Sequence, residues 1–210
     1  MTIRAVVFDW GGVIQRTRSH MPRQRLDDEL GLPRGGVERA VFESAVWEQA
    51  STGRCSADDA WEAIATSLRV APDDLDEFVR RFFAGDRVDD EIVALIRRLR
   101  GRGVPVGLLS NAPPGRTRGT VAARWGMEGL FDVQVFSYEV GVLKPDARMY
   151  RAVLAALDVP AEDALFIDDS PANVRGALDV GMAAVLFTGT EALRGDLARY
   201  GLLPEESPEH

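Results

Sequence analysis

Lysine is nearly missing from this chain: of 25 basic residues in 210, 24 are arginine and one is Lys144. Cysteine is as scarce. Cys55 stands alone, which excludes an intramolecular disulfide framework and a cysteine-rich zinc site. No apolar run approaches the roughly 20 residues of a membrane span. Basic residues fall short of acidic ones, 25 against 33, leaving a formal charge of −8. Such a surface repels polyphosphate, so nucleic acid is not an expected partner. Met1 to Phe8 is too short before its first acid to be a secretory signal. The expectation is a protein of the reducing cytoplasm with no membrane partner; composition leaves its oligomeric state open.

What remains is an ordinary globular mixture, 46% hydrophobic and 28% charged, long enough to bury a core. Five short apolar runs read as buried strands: Ile3 to Phe8, Val104 to Leu109, Val133 to Phe136, Ala164 to Ile167 and Ala183 to Phe187. Helical periodicity lies between them. Asp90 to Arg100 sets Ile92, Leu95, Ile96 and Leu99 on one face, and Asp146 to Leu157 aligns Tyr150, Val153, Leu154 and Leu157. Pro171 to Val180 follows Ser170, an N-cap residue type with proline just inside the helix. Strands alternating with helices predict a parallel sheet covered on both faces.

Residues from about Thr17 to Gly85 break that rhythm. They offer four helical patterns, Arg23 to Leu30, Val37 to Gln49, Asp58 to Leu68 and Asp73 to Phe83, and no convincing strand. Ser56 with Asp59 resembles a helix start, and Trp47 and Trp61 are expected to glue the helices together. The fold class expected is α/β: a Rossmann-like parallel sheet core, residues 1–16 and 86–210, with an inserted all-helical cap, residues 17–85. The tail from Pro204 is expected to fray.

Four polar features fall just past the predicted strand ends or in the loops after them: Asp9, Ser110-Asn111, Lys144-Pro145 (in the loop after the third strand) and Asp168-Asp169. Ligands of open parallel sheets bind outside the carboxyl ends of the strands. Any one aspartate there can be a simple turn cap. Four features in one layer point to a site.

With these residues in place, the sequence resembles the haloacid dehalogenase-like superfamily, in particular its subfamily I phosphatases with a helical cap between the first two motifs. Val6-Val7-Phe8-Asp9-Trp10-Gly11-Gly12-Val13 resembles the nucleophile loop, and Leu108-Leu109-Ser110-Asn111 the second motif. Gly141-Val142-Leu143-Lys144-Pro145-Asp146 resembles the third, and Ile167-Asp168-Asp169-Ser170-Pro171-Ala172-Asn173 the metal-binding fourth. The Gly-Gly-Val after Asp9 and the Gly53 to Trp61 region are similar to sugar-1-phosphatases and to the phosphatase domain of bifunctional epoxide hydrolases.

The resemblance implies a Mg²⁺-dependent phosphatase acting on a small phosphorylated metabolite through an aspartyl phosphate on Asp9. It implies Asp9, Asp169 and the Gly11 carbonyl as Mg²⁺ ligands, with Asp168 beside them; few carboxylates plus waters suit this ion. The Ser110 hydroxyl and Asn111 amide would hold phosphoryl oxygens, and Lys144 would neutralise Asp9 and the incoming phosphate. Asn173 would orient Lys144 or the acidic pair. Trp10 and Arg16 are added as substrate-binding candidates, against a reading of Trp10 as core and of Arg16 and Arg18 as a solvated edge.

One position departs from the pattern. Most phosphatases of the superfamily carry a second aspartate, a general acid and base, where this chain has Gly11. Such help is typically worth about 10²–10⁴-fold in rate. Its lack favours good leaving groups, such as an anomeric hydroxyl, or a proton from water, the cap or His20. It also leaves open a catalytically weak relative that binds a phosphometabolite or a protein partner. A haloacid dehalogenase is the further alternative, although those relatives place a tyrosine at Gly11 and lack the Asp168-Asp169 pair. The lone lysine has its own reading. In a chain that otherwise chooses arginine, Lys144 marks a place where a compact ammonium fits and a planar guanidinium does not.

Overall fold

The computed structural model describes residues 2–114 and 129–204. The fraying expected beyond Pro204 lies outside those residues. Five parallel strands form one sheet in the order β5-β4-β1-β6-β7: β1 Ala5–Phe8, β4 Val106–Ser110, β5 Val133–Phe136, β6 Ala164–Asp168 and β7 Ala183–Leu186. β1 is central, pairing β4 through Val6↔Val106 and β6 through Val6↔Leu165. Its four residues are all buried, as a strand covered on both faces requires.

Alternation along these strands divides the core in two. Val6, Phe8, Leu108, Leu165 and Ile167 pack on one face with Ile92, Leu95, Ile96 and Leu99 of α6, Asp90–Gly101. Val7, Leu109 and Phe166 pack on the other with Met149, Tyr150 and Val153 of α8, Ala147–Leu157. The predicted amphipathic stripes are therefore the buried ones. Ser170 precedes α9, Pro171–Asp179, but its hydroxyl makes no capping bond. Its backbone N–H instead donates to Asp168 Oδ1 at 2.8 Å.

The segment between the first and second sheet strands is helical, with a third apolar cluster of its own. It comprises α1 Met21–Glu29, α2 Gly36–Phe42, α3 Ala45–Ser51, α4 Ala57–Ser67 and α5 Leu75–Phe82. Trp61 centres the cluster, meeting Trp47 edge-on at 5.3 Å and Phe82 at 5.6 Å between ring centroids. The Ser56–Asp59 capping box forms in full.

Two local expectations are corrected. The single helix from Val37 to Gln49 is two, because the Ser44 hydroxyl accepts from the Trp47 N–H and starts a new helix there. Strands also occur at the borders of the insert: β2 Gln15–Thr17 pairs antiparallel with β3 Asp86–Val88. Three residues each carry too little period for a strand to be legible. This short ladder ties together the two chain crossings. Behind it, buried Asp86 accepts from Arg23 Nη2 at 2.9 and 3.0 Å, Gln15 Nε2 at 2.9 Å and Thr17 Oγ1 at 2.8 Å.

Candidate active site

The site lies at the carboxyl ends of β1, β4 and β6. Asp9 leaves β1 with its N–H on Ile167 O at 2.9 Å, one step beyond the strand ladder. The chain then turns at once: Gly12 N–H donates to Gln15 O, and Gln15 N–H to Trp10 O, both at 2.8 Å. Ser110 ends β4 and Asp168 ends β6, both buried. Lys144 arrives from the loop after α7, Ser137–Val140, through a cis Lys144–Pro145 peptide.

The Lys144 ammonium joins these ends. Nζ donates to Asp9 Oδ1 at 2.5 Å, Asp168 Oδ2 at 2.7 Å and Leu109 O at 2.9 Å, filling its three N–H bonds. Its side chain is 1% exposed, and the partner carboxylates are 9% and 0% exposed. Burial alone would lower the lysine pKa, but the charges of Asp9 and Asp168 outweigh it and raise the value, so the ammonium stays charged. Asp9 is pushed up to about 7: burial is the largest cause, Asp168 adds to it, and Lys144 opposes both. Burial and Asp168 also raise Asp169.

Asp168 is saturated. Besides Lys144 and the Ser170 N–H, it accepts from Asn173 Nδ2 at 3.0 and 3.1 Å. The Asn173 amide therefore contacts Asp168 of the acidic pair. Asp169 is exposed and faces the turn after Asp9. Asp9, Asp168 and Asp169 each offer a carboxylate oxygen, all within 4.8 Å of one another. With Asp168 engaged by Lys144, Ser170 and Asn173, the neighbouring Asp9 and Asp169 carboxylates are hard oxygen donors of the kind a divalent cation such as Mg²⁺ takes.

Three of the expected residues are engaged elsewhere. The Asn111 amide faces the Lys144 backbone, accepting from its N–H at 2.8 Å and donating to its carbonyl at 3.2 Å. Trp10 is buried, and its indole N–H donates to Gln15 Oε1 at 2.6 Å. Arg16 ion-pairs with Asp89, which Arg18 also contacts at 2.9 Å, and lies over the Phe187 ring at 5.4 Å. Gly11 pairs with Gln15 in an isolated bridge, and a Cβ there would meet nothing within 4 Å.

Other residues of the site were not singled out from the sequence. A Cβ on Gly12 would overlap the Asp169 carboxylate; the Gly-Gly pair was the available signal. A Cβ on Gly176 of α9 would come within 2.8 Å of Pro145 Cβ and of the Tyr150 hydroxyl, so glycine lets that helix seat against the lysine turn. Tyr150 Oη donates to Asn173 O at 2.7 Å, and no local pattern announces that contact.

Comparison with known proteins fits this architecture. The haloacid dehalogenase-like hydrolase family matches residues 3–181. A sesquiterpene phosphatase of Aspergillus oryzae is 28% identical over 91% of this chain and 93% of its own. A HAD-like family hydrolase of Porphyromonas gingivalis superimposes with a TM-score of 0.71 at 22% identity, over 98% of this chain and 100% of its own. A HAD family enzyme of Bacteroides thetaiotaomicron, in complex with magnesium and inorganic phosphate, gives 0.68 at 18% identity, over 88% and 93%. Among the described residues, no helix is long and apolar enough to cross a membrane.

Proposed function

This chain belongs to the haloacid dehalogenase-like hydrolases, and on that premise we propose that it is a Mg²⁺-dependent phosphatase of small phosphorylated metabolites. The observation that carries the proposal is the Lys144 ammonium held between Asp9 and Asp168, with the exposed carboxylate of Asp169 alongside. Asp9, Asp169 and the Gly11 carbonyl would hold the cation, with Asp168 fixed behind them. When bound, Mg²⁺ supplies positive charge that neutralises the phosphoryl oxygens and draws Asp9 to its ionised form.

The chain's own groups do the rest. The Asp9 carboxylate attacks phosphorus, the bond to the leaving oxygen breaks, and an aspartyl phosphate forms on Asp9. Lys144 offsets the repulsion between Asp9 and the phosphate. The Ser110 hydroxyl, at the end of β4, holds a phosphoryl oxygen. Asn111 acts mainly by fixing the Lys144 backbone. Water then hydrolyses the acyl phosphate and returns Asp9.

Gly11 supplies no proton, so the leaving group must depart well unaided. This favours sugar-1-phosphate-like substrates, and the sesquiterpene phosphatase relative adds terpenyl phosphates to the candidates. The insert, which begins shortly after Asp9, would act as the cap over the substrate. The test is release of inorganic phosphate from aryl, sugar-1-, acyl and terpenyl phosphates, with and without Mg²⁺. Turnover that requires Mg²⁺ and disappears in Asp9→Asn is expected. No turnover across the panel would favour the second reading, a phosphometabolite-binding relative, which rests on Gly11.

A further inference from the structure

The seam between the helical insert and the sheet is held at one fully buried hydroxyl. Ser137 Oγ, at the start of α7, donates to Ser51 O at 2.5 Å and accepts from the Ala112 N–H at 3.0 Å. Ser51 ends α3, and the last carbonyls of a helix have no partner within it. Ala112 directly follows Ser110 and Asn111. One side chain therefore joins the insert to the segment that leaves β4 at Ser110 and carries the Asn111 amide fixing Lys144.

A second contact shows how close this seam is. Gly53, at φ +72°, leaves α3 against the Tyr138 carbonyl, and a Cβ there would lie 2.5 Å from that oxygen. The hydroxyl also has another acceptor in reach, Ala112 O at 3.4 Å. With the insert seated, its proton goes to the nearer acceptor, Ser51 O; without the insert, only the poorer one, Ala112 O, would remain. Partner choice by a lone hydroxyl is how a loop can register the position of an element across a seam.

We propose that Ser137 is a positioning residue whose hydroxyl couples the seating of the insert to the placement of the Ser110–Asn111–Ala112 loop. Only the kinetic part of its test rests on the phosphatase reading.

The test compares full-length wild type, Ser137→Ala and Gly53→Ala by amide hydrogen exchange. It adds a double-mutant cycle in kcat/KM on p-nitrophenyl phosphate with Mg²⁺. Gly53→Ala opens the seam from the insert side and leaves the hydroxyl intact. In both single variants, exchange should quicken together at Ala112 and at Thr52 to Arg54, while β1 amides stay protected. Each should lower kcat/KM by roughly tenfold, and the double variant should be no worse than either single. Quickening confined to one side of the seam, or additive losses in the cycle, would overturn the proposal. If Ser137→Ala fails to fold, Gly53→Ala decides alone by whether Ala112 responds. If wild type hydrolyses no phosphate, the phosphatase reading has failed and the exchange comparison still decides the coupling.

Discussion

Gly12 and Asp169 share one space: the carboxylate of Asp169 lies where any side chain at position 12 would have to be, and Gly12 itself has φ +88°. The exposed carboxylate of the acidic pair is thus aimed at the turn behind Asp9 by a missing methyl group. Gly12→Ala should push Asp169 away and weaken the apparent Mg²⁺ affinity by about 10–100-fold, the range seen when partners that orient metal ligands are lost. Mg²⁺ titration of activity measures this; an unchanged half-saturation would remove Asp169 from the ion's ligands.

Lys144→Arg keeps the charge and loses the geometry. Three acceptors at 2.5 to 2.9 Å surround one nitrogen, and a planar fork cannot place a single donor among them. Turnover should fall by about 10²-fold or more, with a circular dichroism spectrum like that of wild type. Near-wild-type kcat would contradict the site.

Gly11→Asp should be tolerated, since a Cβ there meets nothing within 4 Å. It would add the missing proton donor. Hydrolysis of alkyl phosphates, whose leaving groups need protonation, should rise by about tenfold or more, and aryl phosphates should gain little. Equal effects on both classes would argue that the added carboxyl is not acting as an acid.

Asp9 sets the pH dependence. Its folded-state pKa, about 7, lies above the ordinary 3.8. Its contribution to metal-free stability is therefore full below 3.8 and lost as pH rises through about 7. Mg²⁺ binds the ionised carboxylate, so protons compete with it below about pH 7. Apparent Mg²⁺ affinity should fall between pH 8 and pH 6, and the Mg²⁺-induced rise in Tm should be larger at the higher pH. Thermal melts with and without Mg²⁺ at several pH values test both; an affinity flat across this range would contradict them.

Asp86→Ala leaves the Arg23 guanidinium, 5% exposed, without its bidentate partner at the insert border. The Glu38 contact at 2.9 Å remains. Breaking a buried pair from one side costs about 3–5 kcal/mol. Urea unfolding should show a loss near the lower end of that range.

The strands and most helices were legible because their apolar residues recur with the periods of a two-sided strand or a one-faced helix. Other elements escaped: β2 and β3 are three residues each, α7 is a single turn, and Ser44 restarts a helix through one hydroxyl that an apolar stripe does not register; the helix Thr190–Arg199 also went unread. In the site, strand-end position singled out Asp9, Ser110 and Asp168, but not where each side chain points. Asn111 turned to the Lys144 backbone, the Trp10 indole to Gln15, and Arg16 to Asp89.

The sequence by itself determined an alternating parallel sheet with a helical insert, and the one position where an arginine-rich chain kept a lysine. Local pattern and chemistry are carried by neighbours in the chain, so they can be read from it. Only the tertiary structure decided that residues 9, 144, 168 and 169 meet, that Gly12 makes room for Asp169, and that Ser137 spans the seam. Those contacts join residues up to 160 positions apart, and Lys144 lies 24 positions from Asp168. Sheet pairing and core packing create them, and no local preference encodes them.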